Sequence, residues 1–150
     1  MKESPDTKKL EEVLRSSKLV AGGFLGTDKR SVVEIIEADL AELERLGYTQ
    51  EQVAARMREL TDLSRMQFGI FMKVGDALEV ATEEHRGLVV CPWPHPANFP
   101  KTETVARRTD IGKQVRWSAL SIHLIEAHGF FEGRGCAFRL EPAELIAVIF

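Results

Sequence analysis

Apolar residues in the first half of the chain recur with the spacing of amphipathic helices. Within residues 31–47 they follow one another at steps of three and four, which places them on one helical face: Val33, Ile36, Leu40 and Leu43, with Val32, Ile35 and Leu46 widening the stripe. A second stripe occupies residues 49–64: Val53, Met57, Leu60 and Leu63. The pattern predicts two helices, each with one buried face.

Short polar motifs mark the ends of these two helices. Ser31 with Glu34, and Thr49 with Gln52, have the spacing of capping boxes, in which two side chains bond each other's backbone N–H groups. Gly47 suits the position that follows a helix, because glycine readily adopts the left-handed conformation found there. We therefore predict an antiparallel helical hairpin that turns at Gly47.

An additional helix is predicted before this hairpin. Ser4, Pro5 and Asp6 suit an N-cap, a first helical position and a first-turn acid, respectively. The helix is expected to run to about Lys18 and to be ended by a group of glycines: Gly22, Gly23 and Gly26.

The second half of the chain mixes strand and loop patterns. Residues 77–83 alternate like a half-buried strand, and the apolar run 88–91 could pair with them through a hairpin at 85–87. Four prolines then predict an extended loop that carries Trp93, His95 and Phe99: Pro92, Pro94, Pro96 and Pro100. A further strand is expected at 105–108, turning at 110–112 toward Val115.

The last third of the chain predicts two helices around a glycine-rich turn. One helix is expected from Ser118 through His128, ended by Gly129, and another begins at Pro142. Between them, the turn 133–135 would join two short strands, the second of which contains Cys136. These elements together predict an α+β fold in a single domain, residues 1–150. Its helical part (1–66) would pack on a mixed part (67–150) that holds a small, mainly antiparallel sheet and the two C-terminal helices.

Composition and charge narrow the classes of function. The 20 basic and 23 acidic side chains give a net charge of −3, which argues against a nucleic-acid partner because phosphate contacts need a basic surplus. Two cysteines do not make a secreted disulfide framework, and the N-terminus lacks the apolar segment of a signal peptide. No apolar run approaches the ~20 residues of a membrane helix. We expect a cytoplasmic protein without a membrane partner.

The scarce reactive side chains suggest a metal site. Cys91 and His95 lie in the proline-rich loop, and His123 and His128 lie in the predicted helix, with spacings near those of zinc sites built from two Cys/His pairs. On an unbroken helix, however, five residues place the two helical histidines about 140° apart. They are therefore expected to converge only if the helix ends or widens before His128.

Each of these residues also has an ordinary structural interpretation. Cys91 ends an apolar strand and could be a small core residue. His128 could bond the last carbonyl groups of its helix, where a cation is also favoured. His95 could lie exposed in its loop, and His123 could form a weak surface pair with Glu126.

A local basic surplus suggests an anion site. Residues 101–116 hold five basic side chains against two acidic ones. We predict that a phosphate or carboxylate ligand contacts a set of arginines and one tryptophan: Trp93, Arg107, Arg108, Arg116 and Arg134. The alternative is a solvated strand face beside a glycine-rich turn.

These observations favour a small binding or regulatory module that forms a homodimer through its helical half. Its anion or metal site would lie where the proline-rich loop meets the helix from Ser118. The alternative is a zinc-dependent enzyme that uses the same cysteine and three histidines, with Glu126 or Glu132 as general base. The hairpin also resembles a DNA-binding helix-turn-helix, but its second helix balances arginines with acids and gives little attraction to phosphate.

Overall fold

The computed structural model describes residues 4–16 and 23–150, and these residues form five α-helices and one four-stranded antiparallel sheet. The predicted α+β class is confirmed. In chain order the elements are α1 (Pro5–Arg15), α2 (Val32–Arg45), α3 (Gln50–Ser64), β1 (Met72–Val74), β2 (Leu78–Val90), β3 (Asn98–Arg108), β4 (Lys113–Ser118), α4 (Ala119–His128) and α5 (Pro142–Ile149), with a 3₁₀ turn at Arg65–Gln67 after α3.

The helix ends follow the local sequence signals. Both capping boxes are formed, at Ser31 and at Thr49, and Gly47 has a φ of +85°. The helix α1 is capped by Ser4 as predicted but ends at Arg15. The predicted end near Lys18, and the predicted break at Gly22, lie outside the described residues.

The buried stripe of α2 differs from the predicted one by the inclusion of a charged residue. The fully buried positions are Val32, Ile35, Asp39 and Leu43, whereas Val33, Ile36 and Leu40 are only partly buried. The carboxylate of Asp39 is held by two guanidinium nitrogens of Arg139, one of them at 2.9 Å. A pattern restricted to apolar residues missed this position, because the partner lies in a distant part of the chain.

The sheet is a meander in the order β1-β2-β3-β4, and its inner face packs on α3. Buried threonines form a hydrogen-bonded group across this interface: Thr61 of α3 bonds Thr104 of β3 at 2.8 Å, and Thr82 of β2 bonds Thr104 at 2.9 Å. The indole N–H of Trp117 donates to Thr61 at 2.9 Å. These bonds satisfy the polar atoms of an otherwise apolar core, as burial requires.

The predicted hairpin at residues 85–87 is wrong. Strand β2 runs continuously through this segment, and a bulge between His85 and Leu88 absorbs the two residues that resemble a turn. Both halves of β2 pair with the same long strand, β3. Pro100 was expected in a loop but lies within β3, opposite Leu88. It is tolerated there because β4 pairs with β3 only from Glu103 onward, so that Pro100 has a neighbouring strand on one side alone.

The segment between α4 and α5 contains no strand, so the strand predicted around Cys136 is wrong. Instead, residues 132–136 pack backbone to backbone against residues 23–28. The N–H of Gly133 donates to the Phe24 carbonyl at 2.8 Å, and the N–H of Thr27 donates to the Arg134 carbonyl at 3.0 Å. A side chain at Gly133 would bring its Cβ within 2.3 Å of the Leu25 carbonyl oxygen. We refer to these two segments as the interlocked loops.

Candidate metal centre

Four potential metal ligands from two distant parts of the chain meet at one point. They are Cys91, His95, His123 and His128, and one donor atom of each lies within 4.8 Å of the donor atoms of the other three. The Nε2 atom of His95 is 3.3 Å from the Cys91 Sγ atom, 3.1 Å from His128 Nε2 and 3.4 Å from His123 Nε2. The Sγ atom also lies 3.5 Å from His128 Nε2. We call these four residues the Cys-His₃ group.

The loop between β2 and β3 presents the first two donors. Cys91 follows the last residue of β2 and is buried, and its backbone N–H donates to the Ala97 carbonyl at 3.1 Å, which closes the loop. The N–H of His95 donates to the Trp93 carbonyl at 2.7 Å, and this tight turn brings the imidazole back toward the thiol. The prolines of the loop stiffen the remaining backbone by fixing φ.

Helix α4 presents the other two donors without any interruption. It is capped by Ser118, contains both His123 and His128, and ends only at Gly129, which has a φ of +63°. The expectation that convergence needs a broken or widened helix is therefore wrong. Helical side chains lean toward the N-terminus of their helix, so His128 reaches back over the turn that carries His123. Their ring centroids lie 5.2 Å apart.

Aromatic rings hold two of the imidazoles in position. The Trp93 ring stacks on His128 with centroids 4.1 Å apart and planes 8° from parallel, and its edge contacts Phe130. Phe99 lies against His123 at 4.6 Å. These contacts restrict ring rotation and exclude water from one side of the group.

Burial sets the protonation of the donors in the way a metal site requires. It lowers the pKa of His123, and it lowers the pKa of His128 to about 4, in both cases helped by neighbouring histidines. Lower pKa values favour the neutral form of the His123 and His128 imidazoles at physiological pH. Burial raises the pKa of the Cys91 thiol, while the backbone N–H of Trp93 hydrogen-bonds the sulfur and opposes that effect. A bound cation would displace the remaining thiol proton.

The geometry suits a tetrahedral ion. With metal–nitrogen bonds near 2.0 Å and metal–sulfur bonds near 2.3 Å, a tetrahedral site has nitrogen–nitrogen edges of about 3.3 Å and nitrogen–sulfur edges of about 3.5 Å. Four of the six donor–donor distances are given above and run from 3.1 to 3.5 Å, close to these values. No carboxylate of the described residues belongs to the group. Glu126, which was considered as a general base, forms an ion pair with Arg58 at 3.0 Å.

The residues predicted to bind an anion are spread over the surface. Alternation along β3 sends Arg107 and Arg108 to opposite faces, and Trp93 stacks on His128 of the Cys-His₃ group. Each of the four arginines has an acidic partner within 3.7 Å: Arg107 with Glu79, Arg108 with Asp110, Arg116 with Glu103 and Arg134 with Glu141. Arg107 and Arg108 both line a surface cavity that none of the other predicted residues lines, and anion binding at these side chains stays a prediction.

Comparison with known proteins adds no homologue to this geometry. No protein-family model matches the chain, and neither a curated protein nor a solved structure matches it. Across residues 4–16 and 23–150, no helix combines the length and the apolar character needed to span a lipid bilayer. The Cys-His₃ group is therefore the feature of the molecule that indicates a function.

Proposed function

We propose that this protein binds one Zn²⁺ ion through Cys91, His95, His123 and His128, and that the ion fastens the β2–β3 loop to α4. The observation that supports the proposal is the convergence of the four donor atoms within 4.8 Å. Two donors come from a hairpin loop and two from a helix, so coordination joins elements that are separate in sequence.

The donor set favours zinc over the common alkaline-earth ions. Imidazole and thiolate are the ligands of Zn²⁺ and of other soft or borderline transition metals, whereas Mg²⁺ and Ca²⁺ prefer oxygen. Zinc has no geometric preference of its own and accepts a tetrahedron of one sulfur and three nitrogens. Its metal–ligand distances agree with the spacing of the donor atoms given above.

Four protein ligands favour a structural role for the ion. Catalytic zinc sites usually have three protein ligands and keep a fourth position for water, whereas structural sites fill all four positions with side chains. This argues for a small metal-stabilised binding or regulatory module rather than a zinc-dependent enzyme.

Homodimerisation through the helical half stays a prediction, which the sedimentation mass in solution tests.

Metal analysis of untagged protein tests the proposal. We expect one zinc per chain after purification, and a lower melting temperature after chelation. Cys91→Ser and His128→Asn should lose the metal, whereas the matched controls Cys136→Ser and His85→Asn should retain it, because neither residue belongs to the group. Zinc-free protein that neither takes up added Zn²⁺ nor changes its melting temperature with it would overturn the proposal.

Cobalt substitution separates the structural role from the enzymatic alternative. Tetrahedral Co²⁺ bound to a thiolate has a strong visible spectrum that reports on all four ligands. With four protein donors, azide or cyanide at millimolar concentration should leave this spectrum unchanged. A spectral change would reveal an exchangeable position and would support a zinc-dependent enzyme instead.

A further inference from the structure

A cavity that is separate from the Cys-His₃ group lies between strands β2 and β3, the start of α4 and the segment that follows α4. Its volume is about 270 Å³. Apolar side chains form much of its wall: Val89, Leu120 and Phe138. His85 and Lys101 also line it and are themselves exposed, so they border its mouth. Thr102, Ser118 and two acids complete the lining: the half-buried Glu103, which pairs with Arg116 at 3.3 Å, and the buried Glu132.

Glu132 is a buried acid, and the burial of a carboxyl group is energetically unfavourable. Only 8% of the residue is exposed, and its carboxyl group forms no hydrogen bond or ion pair with the described residues. Every fully inaccessible side-chain nitrogen or oxygen of the described chain has a hydrogen-bond partner. The carboxyl oxygens of Glu132 are therefore not fully inaccessible, and Glu132 itself lines the cavity. Burial raises the pKa of this acid by removing its hydration, and the charge of Arg139 opposes that effect only in part.

The backbone at Glu132 carries a second cost. The backbone φ of Glu132 is +64°, which lies in the left-handed region that residues other than glycine, asparagine and aspartate rarely adopt. Arg139 donates a hydrogen bond of 2.8 Å to the Glu132 carbonyl, and Gly133 is locked against Phe24 within the interlocked loops. The neighbouring structure thus holds the backbone of Glu132 in the strained conformation.

Two costs at one residue, which other side chains offset only in part, are typical of a binding site. A buried acid without a hydrogen-bond or ion-pair partner in a mainly apolar cavity is complementary to a cation that carries apolar groups. We propose that this cavity binds a small organic ammonium ion, whose charged nitrogen contacts the Glu132 carboxylate and whose apolar body packs on Val89, Leu120 and Phe138. The volume suits a ligand smaller than most drug molecules.

The position of Lys101 affects which class of ammonium compound the cavity would bind. A simple amine would use Glu132 alone, whereas an amino acid would also place its carboxylate near the exposed Lys101 ammonium at the mouth. Both compounds share the ammonium group and the apolar body. Benzylammonium and phenylalanine are therefore the two probes, and Lys101→Met distinguishes them.

Calorimetric titration of the metal-loaded protein tests the site. We expect benzylammonium to bind at least tenfold more tightly than benzyl alcohol, its neutral counterpart, and Glu132→Gln to weaken binding of the ion by about tenfold or more. The matched control Glu12→Gln removes an exposed carboxylate and should leave the affinity unchanged. If Lys101→Met weakens the binding of phenylalanine but not of benzylammonium, the site is assigned to amino acids. If Lys101→Met binds both probes with the same affinity as wild type, the site is assigned to simple amines.

Two results would overturn the proposal. One is the absence of binding by either probe at millimolar concentration to wild-type protein. The other is equal affinity of wild type and Glu132→Gln for both probes. Since Glu132→Gln removes a buried charge, it should fold at least as well as wild type, and circular dichroism checks that it does. Zinc content is measured on the same samples, so that a failure of ligand binding at Glu132 can be distinguished from a failure of the proposed zinc binding.

Discussion

The Nε2 atoms of His95 and His128 lie 3.1 Å apart, although 33 positions of sequence separate the two residues. The His95 imidazole comes from the β2–β3 loop and the His128 imidazole from the last turn of α4. The short distance between them therefore shows that the loop and the helix lie against each other at this point. The Trp93 ring, stacked on His128 at 4.1 Å, belongs to the same loop as His95. The loop therefore supplies both a donor and the surface that orients a second donor.

Replacement of Trp93 should weaken zinc binding although no ligand is lost. In Trp93→Ala the His128 ring loses the surface that fixes its plane, and we expect zinc affinity to fall about 10- to 100-fold, as for other residues that orient a metal ligand. Competition with a chromophoric chelator measures the affinity. Trp93→Phe keeps an aromatic surface and should restore most of it, whereas equally weak binding in both variants would show that the ring does not orient His128.

The buried ion pair between Asp39 and Arg139 should contribute strongly to stability. Both side chains are only 7% exposed, so Arg139→Met would leave a buried carboxylate without its partner and should cost about 3–5 kcal/mol in urea denaturation. The exposed pair of Glu42 with Arg45 is the matched comparison, and Arg45→Met should cost less than about 1 kcal/mol. Similar losses in the two variants would contradict this assignment.

Glu132 should make stability depend on pH in a defined direction. Burial raises its pKa to about 7, against a smaller opposing effect of Arg139. The folded state then holds a proton that the unfolded state releases near pH 4.5, so this group lowers the free energy of unfolding as pH rises from about 4.5 to 7. We expect Glu132→Gln to be about 2–3 kcal/mol more stable than wild type at pH 8, and no more stable at pH 4.

The difference between the two proteins, measured by urea denaturation at each pH, isolates Glu132 from other titrating groups. Those that face it or line its cavity are Cys136, Arg139, His85, Lys101 and Glu103, and all of them are present in both proteins. A stability difference that stays constant between pH 4 and pH 8 would show that the carboxyl group titrates normally.

The interlocked loops should tolerate no side chain at Gly133. Because a Cβ atom there would lie 2.3 Å from the Leu25 carbonyl oxygen, Gly133→Ala must separate the two loops, and we expect a loss of at least about 2 kcal/mol. Gly75→Ala is the control, since that position has a φ of +79° but open space around it, and about 1–2 kcal/mol is expected there. Thermal melts of the two variants give the comparison. A loss at Gly133 no larger than the loss at Gly75 would contradict the close approach.

Local signals predicted the helix ends well, because a capping box is complete within four residues. The residue types and spacing also indicated the four residues that meet in the Cys-His₃ group, since imidazole and thiol chemistry does not depend on the fold. The helical wheel underestimated the reach of His128 because it ignores how far a side chain leans along the helix axis.

Features that depend on distant partners could not be predicted in the same way. Residues 85–87 resemble a turn, and only the length of β3 shows that they form a bulge instead. The burial of Asp39 depends on Arg139, which lies 100 residues further along the chain. The cavity at Glu132 likewise depends on the packing of residues 23–28 against residues 132–136.

The spacing of the Cys-His₃ group also bears on how the chain folds if it binds zinc as proposed. Each pair is local in sequence, Cys91 with His95 and His123 with His128, so the ion would be able to contact either pair before any tertiary structure exists. An ion shared by both pairs closes a loop over residues 96–122, which contains all of β3 and β4. Such a closure lowers the entropy cost of pairing those strands. Zinc would then act as a reversible cross-link of the unfolded chain as well as a ligand of the folded one.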